Sequence, residues 1–335
     1  MAVEVNFSAA GTPLGGDGGG LIWGIDFTPD GPREVIQPNA PRAGGFRWLH
    51  FNLAHNAARQ WLDHADSVPA SVREVMRGQD GHQRAFVDED VVCLVLHDLQ
   101  RDFDVAHIDR VGALRVALAE GVMITARLYP LGSGDIVRRR FRDKVRVDGP
   151  ARALDLLVGA ISDNVAGSVS ELSAEVQKAE DAYLAGHPAP TARKLLEIRR
   201  RLSLLHGILD GMQRVFFRLE DDSDLPEALH PTVEKLAQRL QGLDEDALGV
   251  QGQLRLLRDE LELQATQRLN QNIYMLSVVT ALFMPATLVT GIFGMNTGTL
   301  PFSGAGGSYV ATGLSGCASL AVFLGLRAKG FFNRG

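Results

Sequence analysis

Charged residues stop abruptly near the C-terminal end of the chain. Between Arg268 and Arg327 there is no Asp, Glu, Lys, Arg or His, and this apolar stretch is interrupted only once, by a short polar segment. The two segments that remain, 273–294 and 308–326, each have about the 20 residues that a helix needs to cross a hydrocarbon core of about 30 Å. The pattern predicts two transmembrane helices joined by a loop, 295–307.

The chain before these segments is polar enough to be soluble, and its first part mixes strands with short helices. Runs rich in β-branched residues and bounded by Gly, Asp or Pro predict strands. They lie at 21–27, 47–53, 86–87 with 91–96, 111–118 and 122–128. Helical patterns at 57–64 and 70–77 separate some of them. We therefore expect an α/β domain over residues 21–150.

Long helical patterns follow this domain. Two of them, 151–184 and 191–219, are joined by Gly-His-Pro-Ala-Pro at 186–190, which is typical of a turn between two helices. This pattern predicts a helical hairpin within residues 151–230.

A third helical pattern, 231–294, leads directly into the first predicted span. Its apolar positions recur at alternating intervals of four and three residues: Leu236, Leu240, Leu243, Ala247, Val250, Leu254, Leu257 and Leu261. No proline stands between this stripe and Ile273, so we expect one continuous stalk helix of roughly 95 Å. Such a helix would transmit motion from the soluble part to the membrane.

Charge and cysteine content narrow the partners and the compartment. The net charge is −6, and all 40 acidic residues precede Leu269. An acidic soluble part argues against nucleic acid as a partner and attracts cations. Cys93 lies in a predicted strand and Cys317 in the second span, so we interpret both as small buried apolar residues of a protein in a reducing cytoplasm.

Basic residues indicate the orientation in the membrane. They flank the spans on one side only: Arg255, Arg258 and Arg268 before the first, and Arg327, Lys329 and Arg334 after the second. The loop 295–307 has none, so it is expected to be external, and both termini, including the tail 327–335, are expected to be cytoplasmic. Residues 1–20 are rich in glycine without a signal pattern, and we expect a disordered tail there.

A short motif stands at the end of the first span. Gly294-Met295-Asn296 closes it, Met284-Pro285 lies about one third of the way back, and a long helix and basic residues flank the pair of spans. Together these features resemble the CorA superfamily of divalent-cation transporters over nearly the whole chain. Asn-Thr-Gly-Thr-Leu-Pro at 296–301 is similar to the ZntB branch, as is Trp-Leu-His-Phe-Asn at 48–52 followed by Trp61-Leu62. Magnesium channels of the superfamily typically have an acidic residue after the loop proline, where this chain has Phe302.

The resemblance implies an architecture and an activity. The expected fold class is an α+β cytoplasmic domain followed by a long helical stalk and two C-terminal transmembrane α-helices, assembled as a funnel-shaped homopentamer in a bacterial inner membrane. The expected activity is transport of zinc, with cobalt, nickel and cadmium as further cargo and with proton coupling. Zinc would be a transported substrate, and neither a resident cofactor nor an enzymatic reaction is expected.

The first span carries a candidate pore face. Two spans from one subunit cannot enclose a polar path, so transport requires several subunits. One helical stripe of the span consists of Leu276, Thr280, Met284, Thr287 and Gly291. We expect Asn296 and the carbonyl of Gly294 to form an outer filter that holds a hydrated ion, with Thr287 as a further contact. The alternative is that the threonines bond to their own helix and that the stripe packs against another helix.

Other candidate sites are weaker. The chain has nine histidines, but His50, His55 and His64 lack the close spacing of a zinc-binding motif, and we interpret them as solvated or core residues. The acidic runs 88–90 and 220–224 are interpreted as charged surface.

Neither glycine-rich segment supports nucleotide binding. Gly15–Gly20 lacks the Lys-Ser/Thr of a phosphate loop, and Gly132-Ser133-Gly134 has no helix-opening pattern. Three functions therefore remain open: a ZntB-like zinc transporter, a magnesium or cobalt channel, and a membrane-anchored coiled-coil scaffold without conduction.

Overall fold

The structure is a computed structural model that describes residues 20–65, 68–101, 110–143, 145–188, 190–295 and 306–329. The chain divides into two compact units at the boundary between Leu256 and Leu257. The predicted tail 1–20 lies outside the described residues except for Gly20, and so does the last part of the predicted tail 327–335, from residue 330 onward.

The first unit is built on one mixed sheet. In the described residues its strands are β1 Leu21–Thr28, β2 Gly31–Glu34, β3 Phe46–Asn52, β4 Arg84–Asp88, β5 Val91–Leu99, β6 Val111–Ala119 and β7 Val122–Arg127. They follow the order β2-β1-β3-β7-β6-β5-β4, and every pair is antiparallel except β3 with β7, which is parallel. The inner strands β3, β5, β6 and β7 are buried along nearly their whole length, as strands covered on both faces are.

The predicted strands are confirmed, but one strand was missed. β2 consists of Gly-Pro-Arg-Glu, which has no apolar alternation, and it lies at the edge of the sheet, where a proline without an N–H is tolerated. The predicted strand at 86–87 is longer than expected and spans Arg84–Asp88.

Helices cover both faces of the sheet. The first helices, α1 Asn56–Asp63 and α2 Ala70–Arg77, bury a core that includes Phe51, Cys93 and Ile124. On the other face lie α3 Gly132–Arg142 and α4 Pro150–Leu184, where the ring of Phe141 meets that of Trp48 at 5.3 Å.

The interpretation that Gly132-Ser133-Gly134 opens no helix was wrong. Helix α3 begins at Gly132 because Asp98, at the end of β5, accepts the backbone N–H of Ser133 at 2.9 Å. An acceptor for the unpaired N–H groups of a helix start is usually local in sequence. Here a distant strand supplies it, so the local pattern carries no start signal.

The helical hairpin consists of α4 and α5 Ala192–Glu220, and a short 3-10 turn, Glu227–Leu229, leads from it to α6. The hydroxyl of Thr191 accepts the N–H of Lys194 and caps α5. The hairpin is joined to the start of the next helix by two ion pairs, Lys235 with Asp155 and Arg239 with Asp163, and by a hydrogen bond between His206 and Asp244.

Helix α6, His230–Gly294, is continuous over 65 residues and includes Pro285. Six of the eight predicted stripe positions are buried, and Leu243 and Leu261 are partly buried. Helix α7, Gly307–Ala328, follows. These two helices are long and apolar enough to cross a membrane.

The two cysteines differ. Cys93 is buried, as expected, and burial raises the pKa of its thiol to about 12. Cys317 is exposed on α7, so its predicted burial was wrong for the isolated chain, because α7 turns this position away from α6.

Candidate ion-conduction pathway

The two membrane-spanning helices pack through a small-residue face of α7. Its inward positions include Ala311, Ser315 and Ser319, spaced four residues apart. Small side chains at this spacing allow two helix backbones to approach closely. The hydroxyl of Ser319 donates a hydrogen bond to the carbonyl of Leu282 on α6, at 2.9 Å.

The face of α6 that contacts α7 is identified by its partly buried positions. They are Val278, Ala281, Leu282, Pro285, Ala286, Val289 and Phe293. The predicted pore stripe is exposed instead, with Leu276 67% and Met284 66% exposed. Because successive helix positions are rotated by about 100°, the stripe lies on roughly the opposite side of α6 from α7. The described part of the chain therefore leaves the stripe uncovered.

The threonines of the stripe bond to their own helix, which agrees with the first part of the alternative interpretation. Thr280 donates to the carbonyl of Leu276 at 2.8 Å, and Thr287 donates to that of Phe283 at 2.9 Å. Each hydroxyl hydrogen is thereby used, but the oxygen keeps lone pairs that can accept a further hydrogen bond. The second part of that interpretation, packing of the stripe against another helix, does not occur among the described residues, because all five stripe positions are exposed.

The predicted filter is only partly described. Gly294 is the last residue of α6, and Met295 follows it with an exposed side chain. Asn296 lies outside the described residues, together with most of the loop 295–307.

The described residues contain no evident metal centre. In the described ranges, no group of three or more His, Cys, Asp or Glu side chains could hold a metal ion. His50 is buried, its Nδ1 lies 2.8 Å from the Thr125 hydroxyl, and its Nε2 accepts from Arg127. Burial lowers the pKa of His50 to about 3, so the ring is neutral at pH 7 and both nitrogens are occupied. This confirms His50 as a core residue.

The acidic run at 88–90 forms the turn of the β4–β5 hairpin. Glu89 and Asp90 both have positive φ, and Asp88 accepts a hydrogen bond from Ser71. The other run ends α5, and Asp222 accepts the N–H of Asp224 there. Both runs lie at the ends of elements, as surface charges commonly do.

Two residues of the second unit were not identified from the sequence. Ser315 and Ser319 face α6, and the signal that could have identified them is the spacing of small residues from Ala311 onward.

Similarity to a known family identifies the family of this chain. The model of the family described as "CorA-like Mg2+ transporter protein" matches residues 43–327. The chain belongs to this family. Its predicted membership of the CorA superfamily is thereby confirmed, and so is the predicted fold class of an α+β domain, a long helix and two C-terminal apolar helices.

Relatives of this CorA-like chain agree with that assignment. The zinc transport protein ZntB of Pectobacterium carotovorum subsp. carotovorum (strain PC1) is 24% identical over 284 residues, which cover 82% of this chain and 83% of the relative. The structure of the full-length CmaX protein has a TM-score of 0.77 at 21% identity and covers 94% of this chain and 100% of that one. The CorA magnesium transporter from Methanocaldococcus jannaschii has a TM-score of 0.77 at 17% identity, with coverage of 92% and 98%. These structures share the fold.

Proposed function

We propose that this CorA-like protein transports zinc across the bacterial inner membrane, with cobalt, nickel and cadmium as further cargo and a proton gradient as the coupled energy source. The observation that carries this proposal is the uncovered polar stripe of α6, which faces away from α7. Both hydroxyls of the stripe donate to their own helix, but lipid offers no donor to the lone pairs that their oxygens keep, so this face is better matched by water or a polar partner. It therefore has a partner that one chain does not provide.

That partner is the same stripe of other copies. A closed ring of α6 helices places α7 on the outside and turns Thr280, Thr287 and Gly291 toward a common axis, which encloses a path that two helices alone cannot form. We infer a homopentamer for this ring, as the resemblance to the superfamily implies. Self-association is thus part of the transport machinery.

The chemistry of the stripe fits a hydrated cation. Rings of neutral hydroxyl and carbonyl oxygens can hold an ion by its water shell without removing that shell. Thr280 and Thr287 supply hydroxyl rings, Leu276 and Met284 supply narrow apolar rings, and Asn296 supplies amide oxygens at the outer end. No carboxylate stands between Leu269 and Leu326, so no residue of this path neutralises a bare divalent charge.

Charge supports the orientation. Arg327 lies in the last turn of α7, Arg268 lies on α6 before its apolar part, and the connecting loop has no basic residue. By the positive-inside rule, both helix ends with arginine face the cytoplasm. The first unit and both termini then lie in the cytoplasm, and Asn296 lies at the outer mouth.

Zinc is favoured over magnesium by the relatives. Several similar proteins carry the name zinc transport protein ZntB. The match to the one from Pectobacterium carotovorum covers 83% of that protein. Magnesium is the second candidate, because the family's description and the Methanocaldococcus transporter's name both specify it. The uncharged loop weighs against magnesium, since an acidic ring helps to concentrate so strongly hydrated an ion.

A flux assay tests the cargo. The purified protein is reconstituted in liposomes, and uptake of zinc, magnesium, cobalt, nickel and cadmium is measured with and without an inward proton gradient. We expect zinc flux that rises with the proton gradient, and rates for cobalt and nickel within about tenfold of it, because ions of similar hydrated size meet no selective ligand. Magnesium flux without zinc flux would replace zinc by the second candidate, and no flux of any cation would support the scaffold.

A further inference from the structure

A proline interrupts the hydrogen bonding of α6 inside its apolar part. Pro285 has no N–H, so the carbonyl of Ala281 loses its usual donor four residues later, and the proline ring crowds the preceding turn. The weakened turn includes the next carbonyl, that of Leu282. In a bilayer no water replaces such a donor, and span prolines are tolerated where a neighbouring helix or hydroxyl satisfies the freed groups.

The neighbouring helix reaches this turn. Ser319 of α7 donates its hydroxyl to the carbonyl of Leu282, three residues before Pro285, and the bond is partly buried. The other serine and threonine hydroxyl bonds described in the two spans stay within one helix. They are made by Ser277, Thr280, Thr287, Thr290 and Thr312.

Ser315 provides the contrast. It lies one turn before Ser319 on the same face of α7 and is 9% exposed, yet its hydroxyl has no hydrogen-bond partner among the described residues. Two serines thus face α6 at equivalent positions, and the bond to the α6 backbone is made by the one beside the proline turn. Its small size is enough to explain why Ser315 lies against α6, but size does not explain the hydrogen bond that Ser319 makes.

We propose that Ser319 is a positioning residue for transport: its hydroxyl holds the turn of α6 that Pro285 disrupts. Thr287 and Gly291 follow this turn, and Leu276 and Thr280 precede it. The direction in which the outer half of the stripe faces, relative to the inner half, therefore depends on how the turn is held. This inference rests on the proposed transport function, in which both halves must face one axis.

A double-mutant cycle tests the proposal, with Ser315→Ala as the matched control. Zinc flux is measured in liposomes for Ser319→Ala, Pro285→Ala and the combined variant. We expect Ser319→Ala to lower flux about fivefold, the factor that corresponds to one lost hydrogen bond. In the Pro285→Ala background the same change should have little effect on flux. The N–H of the alanine at position 285 then donates to the carbonyl of Ala281, so the turn is held without the Ser319 hydroxyl. Ser315→Ala should transport like the unmodified protein, and Ser319→Thr, which keeps the hydroxyl, should restore most of the flux.

Equal flux of Ser319→Ala and Ser315→Ala would overturn the proposal, and so would an equal loss from Ser319→Ala in both backgrounds. The thermal midpoint of the solubilised oligomer, measured for the unmodified protein and the three variants of the cycle, reports the Ser319–Pro285 coupling without any transport. Absence of zinc flux in the unmodified protein would contradict the proposed function, while coupling in the thermal midpoints would still show that the serine holds the proline turn. Additive midpoints would exclude that role.

Discussion

His50 is a core residue, as interpreted from the sequence, but its hydrogen-bond partners could not be predicted. Its sequence neighbours suggest a histidine cluster, yet its partners Thr125 and Arg127 lie on β7, which pairs with β3 in parallel. Sequence spacing cannot reveal such a partner. Asp98 is similar, because it serves a helix start that begins far along the chain at Gly132.

His50 makes the stability of the first unit dependent on pH. Its pKa is lowered from 6.5 to about 3 by burial, so below pH 6.5 the unfolded chain takes up a proton that the folded one does not. The contribution of neutral His50 to the free energy of unfolding is therefore fully present above pH 6.5 and is lost as the pH falls toward 3. We expect the thermal midpoint to fall less between pH 7 and pH 5 in His50→Gln than in the unmodified protein. The exposed His64, changed to Gln, serves as the control, and a His50→Gln profile parallel to the unmodified one would contradict the assignment.

Substitutions of Asn296 and Thr287 are expected to lower zinc flux to different extents. Asn296→Ala removes the amide ring at the outer mouth and should lower zinc flux at least about tenfold with the oligomer intact, whereas Thr287→Ala should lower it only a fewfold, because water can replace one hydroxyl ring. Thr290→Ala is the matched control, since Thr290 also bonds to its own helix but lies off the stripe. Unchanged zinc flux in Asn296→Ala would refute its role as a filter.

At the scale of elements, hydrophobic pattern was sufficient where burial is regular. The inner strands are nearly continuous apolar runs and the stalk stripe has a period of about 3.5 residues, so their positions could be predicted. β2 and α3 could not, because an edge strand and a helix start capped from another strand have no apolar period of their own. On α7, the pattern revealed the span but not that Ser319 bonds to α6.

Packing of the stalk stripe should stabilise the first unit. Leu240 is fully buried on α6, so Leu240→Ala leaves a cavity and should lower the free energy of unfolding by about 2–5 kcal/mol. Leu184, exposed at the end of α4, is the control, and Leu184→Ala should change it by less than about 0.5 kcal/mol. Denaturant titration of the solubilised protein measures both, and equal losses would contradict the packing of this stripe.

In the whole molecule, each chain supplies one α6 stripe, whereas the proposed transport path is enclosed by the stripes of several copies. The first unit has its own core, whereas the second exposes Leu276, Met284 and their neighbours on α6. Lipid suits the apolar members of that face but leaves the oxygen lone pairs of its hydroxyls without a donor. The sequence could indicate that one chain does not enclose a path. The number of copies, five, is implied only by the resemblance to the CorA superfamily.

We expect the protein to be a pentamer in mild detergents, because a closed ring of α6 helices covers every stripe and the resemblance to the CorA superfamily implies five copies. Multi-angle light scattering, corrected for bound detergent, measures the protein mass directly. A stable monomer or dimer in several detergents would count against the ring.

Chemical blocking of the stripe during zinc transport shows whether the stripe lines the transport path. Thr287→Cys and Leu314→Cys, the latter on an exposed position of α7, are each made in a Cys317→Ser background. Cys93 can remain, because its buried thiol, with a pKa of about 12, stays unreactive. Zinc flux into liposomes is then measured before and after a charged methanethiosulfonate reagent is added. We expect the reagent to stop zinc flux through Thr287→Cys and to leave flux through Leu314→Cys unchanged. Undiminished zinc flux through modified Thr287→Cys would show that the stripe does not line the path.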